Sequence, residues 1–180
     1  VDQQPTEATT RLSAGPELSL VTLDGVARLV VTGGYAGTIG GWNLGVDGSI
    51  GAAFTMARGP RAVISAHEQV RMGGAEYLAV TRAHGEAIEI WKIGLKNVLT
   101  QVAQAELFPD RSDAQGVVAL EGVTLGGQSY LLSLSNADES LRVWRLSDAG
   151  GITPVSQVGA GAGLGIAAPT DLQVVRAIGH

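Results

Sequence analysis

Along most of the chain, apolar and polar residues alternate with the period of two that sends successive side chains to opposite faces of an extended strand. In Ile88-Glu89-Ile90-Trp91-Lys92-Ile93, Ile88 and Ile90 fall on one face and Trp91 and Ile93 on the other. Both faces carry apolar groups, so a sheet built from such strands needs a neighbour on each side. The pattern predicts strands at 62–71, 76–81, 87–93 and 98–105, and again at 116–125, 129–135, 140–146 and 152–158. Turn-forming residues separate them. Asp24-Gly25, Gly73-Gly74 and Gly126-Gly127 suit two-residue hairpins, which need positive φ, and Val46-Asp47-Gly48 and Asp148-Ala149-Gly150-Gly151 mark further hairpins.

These strands repeat as a group. Trp42, Trp91 and Trp144 are separated by 49 and 53 residues. Two residues after each comes Leu44, Ile93 or Leu146, and three before it Ile39, Ile88 or Leu141. Fourteen before stand Arg28, Tyr77 and Tyr130, each followed by a leucine, and the glycine turns precede those. A spacing near 50 residues with four strands per repeat is the signature of a β-propeller. A β-sandwich also has many short strands, but gives no reason for a tryptophan to recur with its flanking pattern intact.

The expected fold is therefore all-β: three four-stranded antiparallel blades, at about 13–60, 61–112 and 113–160, behind a polar flexible lead at 1–12. Thr170 to Ile178 alternates like the other first strands and is expected to be the first strand of a fourth blade. Since about four to eight blades close a propeller, a completing partner is expected. It would be a further segment of a parent protein, a cleaved fragment or another copy of the chain.

The third unit resembles one blade of the lactonase-like, YVTN-type propellers. The residues that carry the likeness are Ser129-Tyr130-Leu131-Leu132-Ser133, Asn136, Ser140-Leu141-Arg142-Val143-Trp144-Arg145-Leu146 and Gly151-Ile152-Thr153-Pro154-Val155. The second unit is similar but weaker. The first is degenerate, with Gly40-Gly41 where the others carry Glu89-Ile90 and Arg142-Val143. The resemblance spans roughly residues 13–178 but matches only blade-forming residues. It implies the architecture and transfers no catalytic residue.

Composition narrows function mainly by exclusion. A net charge of −5 and only 12 Lys and Arg argue against nucleic acid. Cysteine is absent, which removes disulfides and thiolate metal sites. No apolar run approaches the roughly 20 residues of a membrane-spanning helix. The opening Val1 to Thr10 reads like the start of an exported protein after signal removal, although a vector remnant looks similar. An extracellular or periplasmic location is thus expected, with the cytoplasm, which the absence of cysteine fits equally well, as the alternative.

First strands line a propeller's central channel, and here they offer His67, Glu68, Arg71, Glu121 and Asp171. His67 beside Glu68 suits a general base or a ligand, but the more ordinary role is a hydrogen-bonded structural histidine. His84 lies in a loop at a position that tolerates Tyr35 and Ala137 in the other units. Asp138 and Glu139 form a small acidic loop that invites calcium, without the glycine and terminal glutamate of a known calcium loop. A solvated Asx turn is the plainer reading, and the cluster Asp110, Ser112, Asp113 reads the same way. Gly159 to Gly165 resembles a phosphate loop, but no Lys-Ser/Thr follows it. No cofactor is expected. The leading expectation is a non-catalytic binding or assembly module that recognises protein or glycan through its loops. The alternatives are a lactonase-like hydrolase using channel polar groups, and a purely structural component.

Overall fold

The computed structural model describes residues 17–23, 25–32, 38–58, 64–82, 87–94, 98–107, 116–159 and 169–175. Twelve strands follow one another with no helix among the described residues. The first unit holds β1 (Glu17–Leu23), β2 (Val26–Thr32), β3 (Thr38–Leu44) and β4 (Ile50–Arg58). The second holds β5 (Ile64–Met72), β6 (Ala75–Arg82), β7 (Ala87–Ile93) and β8 (Leu99–Glu106). The third holds β9 (Val117–Leu125), β10 (Gln128–Ser135), β11 (Ser140–Leu146) and β12 (Ile152–Val158). Each unit is one four-stranded antiparallel sheet in simple up-and-down order.

The register repeats as the tryptophan alignment requires. Trp42 pairs with Leu29, Trp91 with Leu78 and Trp144 with Leu131. The glycine pairs form the first hairpin of the second and third sheets, with φ of 54° and 78° at Gly73 and Gly74 and 58° and 81° at Gly126 and Gly127. Two successive residues at positive φ are what a type I′ turn demands, and only glycine adopts them without a steric cost. A third device recurs three residues after each tryptophan. The N–H of Gly45, Gly94 and Ser147 donates to the carbonyl four residues on, at 2.8, 2.8 and 2.9 Å.

The sheets stack through apolar faces. One cluster joins Val21, Val30, Ile39 and Met56 of the first sheet to Ile64, Leu78 and Val80 of the second. A larger one joins Met72, Tyr77, Ile88 and Ile90 of the second to Leu120, Leu131, Trp144 and Leu146 of the third. Ile88 and Ile90 thus face forward and Trp91 and Ile93 backward, as the alternation along β7 predicts. First strands lie closest together, β5 between β1 and β9. The outer strands β8 and β12 meet less intimately.

Over its ladder, each outer strand carries more residues than the strand it pairs with, two more in β4 and one more in β8 and in β12. Met56, Val102 and Val155 are skipped in the ladders of β4, β8 and β12, which are the marks of β-bulges. Met56 is buried against the second sheet. Val102 reaches the third-sheet turn at Gly150.

Two sequence expectations need correction. Trp91 and Trp144 are both expected to be buried between neighbouring units, yet Trp144 is 3 % exposed and Trp91 only half-buried. Opposite Trp144 the second sheet supplies Ile88 and Ile90, whereas opposite Trp91 the first sheet has Gly41 where Ile90 would stand. A Cβ on Gly41 would lie 1.8 Å from the carbonyl oxygen of Leu29, so the close approach of β2 and β3 admits only glycine. The other correction concerns the expected strand from 170 to 178. Among the described residues, Thr170 to Val175 pairs with no strand, and the remainder of the segment lies outside them. Alternation makes a segment fit to be a strand, but pairing requires a partner edge.

Candidate functional site

The polar residues singled out on first strands converge at the junctions between β1, β5 and β9. His67 is 1 % exposed on the backward face of β5. Its Nε2 lies 2.5 Å from Ser19 Oγ on β1, and its Nδ1 lies 3.4 Å from Thr32 Oγ1 on β2. The imidazole therefore joins the second sheet to the first at both ring nitrogens.

Its neighbour turns the other way. Glu68, one residue along the strand, accepts the N–H of Gly122 on β9 at 3.2 Å through Oε1. Gly122 has room for this because a Cβ there would press on Glu68 Oε1 and Val70 Cγ1, each at 3.1 Å. Gln69 faces back again. Its carboxamide donates to Thr22 O at 3.1 Å and accepts the Thr22 N–H at 3.3 Å, pairing with the edge of β1 as another peptide unit would. Its Nε2 also donates to Glu76 Oε2 at 2.8 Å. Ser129 Oγ donates to Arg71 O at 3.0 Å, adding a link from β10 to β5. Alternation along a strand thus assigns His67 and Gln69 to one neighbour and Glu68 to the other.

The remaining candidates are placed as follows. Glu121 occupies on β9 the register position of Glu68, opposite Leu132 where Glu68 is opposite Ala79. Arg71 is exposed and pairs with Glu76 at 3.5 Å. Asp171 is exposed and accepts the N–H of Leu172 at 2.8 Å. It is not brought beside the first-strand group in any described contact. His84 and the cluster Asp110, Ser112, Asp113 lie outside the described residues.

In the acidic loop, Asp138 Oδ1 accepts the Ser140 hydroxyl at 2.7 Å and Oδ2 pairs with the Arg142 guanidinium. Gln157 donates to the same oxygen through Nε2 at 3.4 Å and accepts the Arg142 Nε–H through Oε1 at 3.2 Å. A guanidinium on the carboxylate disfavours a second cation there. Glu139 is exposed at φ 49°. Among the described residues, no group of three His, Asp or Glu side chains is placed to share a metal ion.

Sequence reasoning missed a second ion pair, one whose carboxylate is buried. Glu89 is 6 % exposed, pairs with Arg82 through Oε1, and accepts Trp91 Nε1 at 3.1 Å through Oε2. An i, i+2 spacing on β7 puts Glu89 and Trp91 on one face, so this contact was available to a strand reading. Trp144 instead donates to Ser133 Oγ at 2.8 Å. The sequence reading also missed Ser19, whose contact with His67 spans 48 residues.

Two depressions accompany these contacts. A cleft of about 160 Å³ lies over the β5–β9 junction, lined by Gln69, Arg71, Gly122, Thr124, Ser129 and Tyr130. A wider groove of about 700 Å³ separates β8 from β12, bordered by Gln104, Glu106, Arg142, Ser156 and Gln157 over an apolar floor. In comparisons with known proteins, no family model and no curated protein matches this chain.

Proposed function

We propose that the chain is part of a lactonase-like, YVTN-type β-propeller that serves as a non-catalytic binding or assembly module of an exported or surface protein. It recognises protein or glycan through its loops. One observation carries this reading. His67, Glu68 and Gln69, the polar residues that a channel enzyme would turn toward substrate, instead bond to Ser19, Thr32, Gly122 and Thr22 across sheet junctions. Polar chemistry on the first strand is spent on holding blades together, which leaves recognition to the connecting loops, where a rigid frame displays variable residues. The resemblance of the third unit to a YVTN-type blade supports the architecture and does not bear on an activity.

A second reading rests on the 2.5 Å contact of Ser19 Oγ with His67 Nε2. A hydroxyl on an imidazole is the first half of a nucleophile and base arrangement. Thr32, a neutral hydroxyl, stands at Nδ1 where a carboxylate orients the ring in a hydrolytic triad. The two readings separate in one experiment. The protein is probed on a glycan array and, in parallel, with a panel of lactones and activated esters. The binding reading expects saturable glycan or protein capture that weakens when Asp138 and Glu139 are replaced together. Turnover that disappears in Ser19→Ala, with Ser19 labelled by a fluorophosphonate, would replace it with the hydrolase reading.

A further inference from the structure

On the reading that these sheets are propeller blades, the outward faces of the first and third sheets need cover, and we propose that they cover each other. Two copies of the chain join head to tail, each placing the forward face of its third sheet on the backward face of the other's first. Three sheets from each copy make six, within the range of about four to eight that closes a ring. A two-fold axis along the channel forms both contacts at once, so neither copy keeps an open face.

The chain itself shows what belongs on these faces, because each register position occurs three times. On the backward face, Leu18 stands where His67 and Leu120 stand. It is 62 % exposed, whereas they are 1 % and 4 % exposed beneath a neighbouring sheet. Leu20, two residues on, is 64 % exposed. On the forward face, Leu125 holds the position of Met72, at 61 % against 2 %. The bulge residue Val155 is 56 % exposed, against 41 % for Val102 at the same register position. Leu18 and Leu125, each more than 60 % exposed on positions that are elsewhere core, mark incompletely partnered faces, not ordinary surface scatter.

The polar pattern matches as well. Glu121 repeats Glu68, and Leu20 repeats Gly122, the residue whose N–H Glu68 accepts. The Thr22 N–H points away from β2 toward Gln69, and residues two apart on a strand share that direction. The Leu20 N–H is thus directed off the same edge, and across the joint it donates to Glu121 of the second copy.

The absence of cysteine makes the joint testable by disulfide trapping. Val70 Cγ1 lies 3.1 Å from a Cβ built on Gly122, which suits a disulfide between these positions. Val70→Cys with Gly122→Cys is therefore the internal control, closing within one chain. The corresponding pair between copies is Val123→Cys on one and Leu20→Cys on the other. Mixing the two single variants under mild oxidation should give a covalent heterodimer. Before oxidation the native mass should be twice the 18.4 kDa of one chain, and Leu20→Lys should reduce it to one. A monomer without cross-link, while the internal pair closes, overturns the dimer and leaves the stacked-blade reading standing. Failure of the internal pair too overturns both. A ladder of higher oligomers overturns the closed ring. Ready closure of Val123→Cys with Val175→Cys in one chain assigns the face to the chain's own 170–178 segment, and also overturns the proposal.

Discussion

Gly150 of the third sheet rests against the ring of Tyr77 in the second. A Cβ built on the glycine would stand 2.9 Å from Tyr77 Cε1 and 2.8 Å from Val102 Cγ2. The residue also has φ of 89° and closes its turn by donating to Ser147 O at 2.9 Å. Conformation and contact thus demand glycine independently. Gly150→Ala is expected to cost more than Gly48→Ala, which shares the turn and a φ of 81° but has nothing within 4 Å. The second should lose about 1–2 kcal/mol for the left-handed backbone alone, and the first about 1–3 kcal/mol more for overpacking. Urea midpoints compare them, and equal losses would contradict the contact between the sheets.

The two inward tryptophans should part company on truncation. Trp144→Ala removes a fully buried indole and leaves Ser133 Oγ without its donor. The expected cost is about 3–5 kcal/mol, a large share of a stability of about 5–15 kcal/mol. Trp91→Ala should cost clearly less, since part of that indole is already in water. Acrylamide quenching of single-tryptophan variants provides the independent check, with Trp144 protected and Trp91 quenched.

Restoring the repeat in the first sheet should harm it. Gly41→Ile would give the first unit the residue that Ile90 supplies in the second, and a consensus argument favours it. The backbone oxygen of Leu29, 1.8 Å from the would-be Cβ, cannot swing aside as a side chain can. A loss at the upper end of the roughly 1–3 kcal/mol typical of overpacking is expected. A raised melting temperature would show that β2 and β3 can separate without cost.

The turn at Asp47 carries a pH signature. The Ser49 hydroxyl at 2.7 Å, and then the Ser49 N–H at 3.1 Å, hold the Asp47 carboxyl below its ordinary value of 3.8. A carboxyl depressed by folding adds stability that is fully present above the unfolded value and is lost as pH falls through the folded one. The Ser49 amide resonance should therefore stay unchanged down to about pH 4 and shift only in more acidic solution. An Asp47 titration midpoint at or above 3.8 would contradict the hydrogen-bonded turn.

Strand positions were legible because alternation and glycine pairs are local, and the tryptophan spacing aligns the repeats without any knowledge of their packing. Strands predicted at 87–93, 140–146 and 152–158 match β7, β11 and β12 residue for residue. The polar contacts at the first strands were not legible. His67 meets residues 48 and 35 positions away, and Glu68 one 54 away, through a stacking geometry that no short pattern encodes. Gly41 shows the limit from the other side. Its departure from the repeat was visible, but the carbonyl that forbids a side chain there, and the exposure it leaves on Trp91, follow only from the distance between two strands.

The bulges in the outer strands limit how these sheets can grow. At the rim, Met56, Val102 and Val155 bend β4, β8 and β12, and Pro154 on β12 has no N–H to offer an incoming strand. A straight β-segment arriving there meets an edge that it cannot continue, so the route to cross-β fibres by sideways pairing is obstructed. The bulges do not obstruct the packing of one sheet face on another. Units of this kind can therefore join through their faces without their outer strands zipping into amyloid.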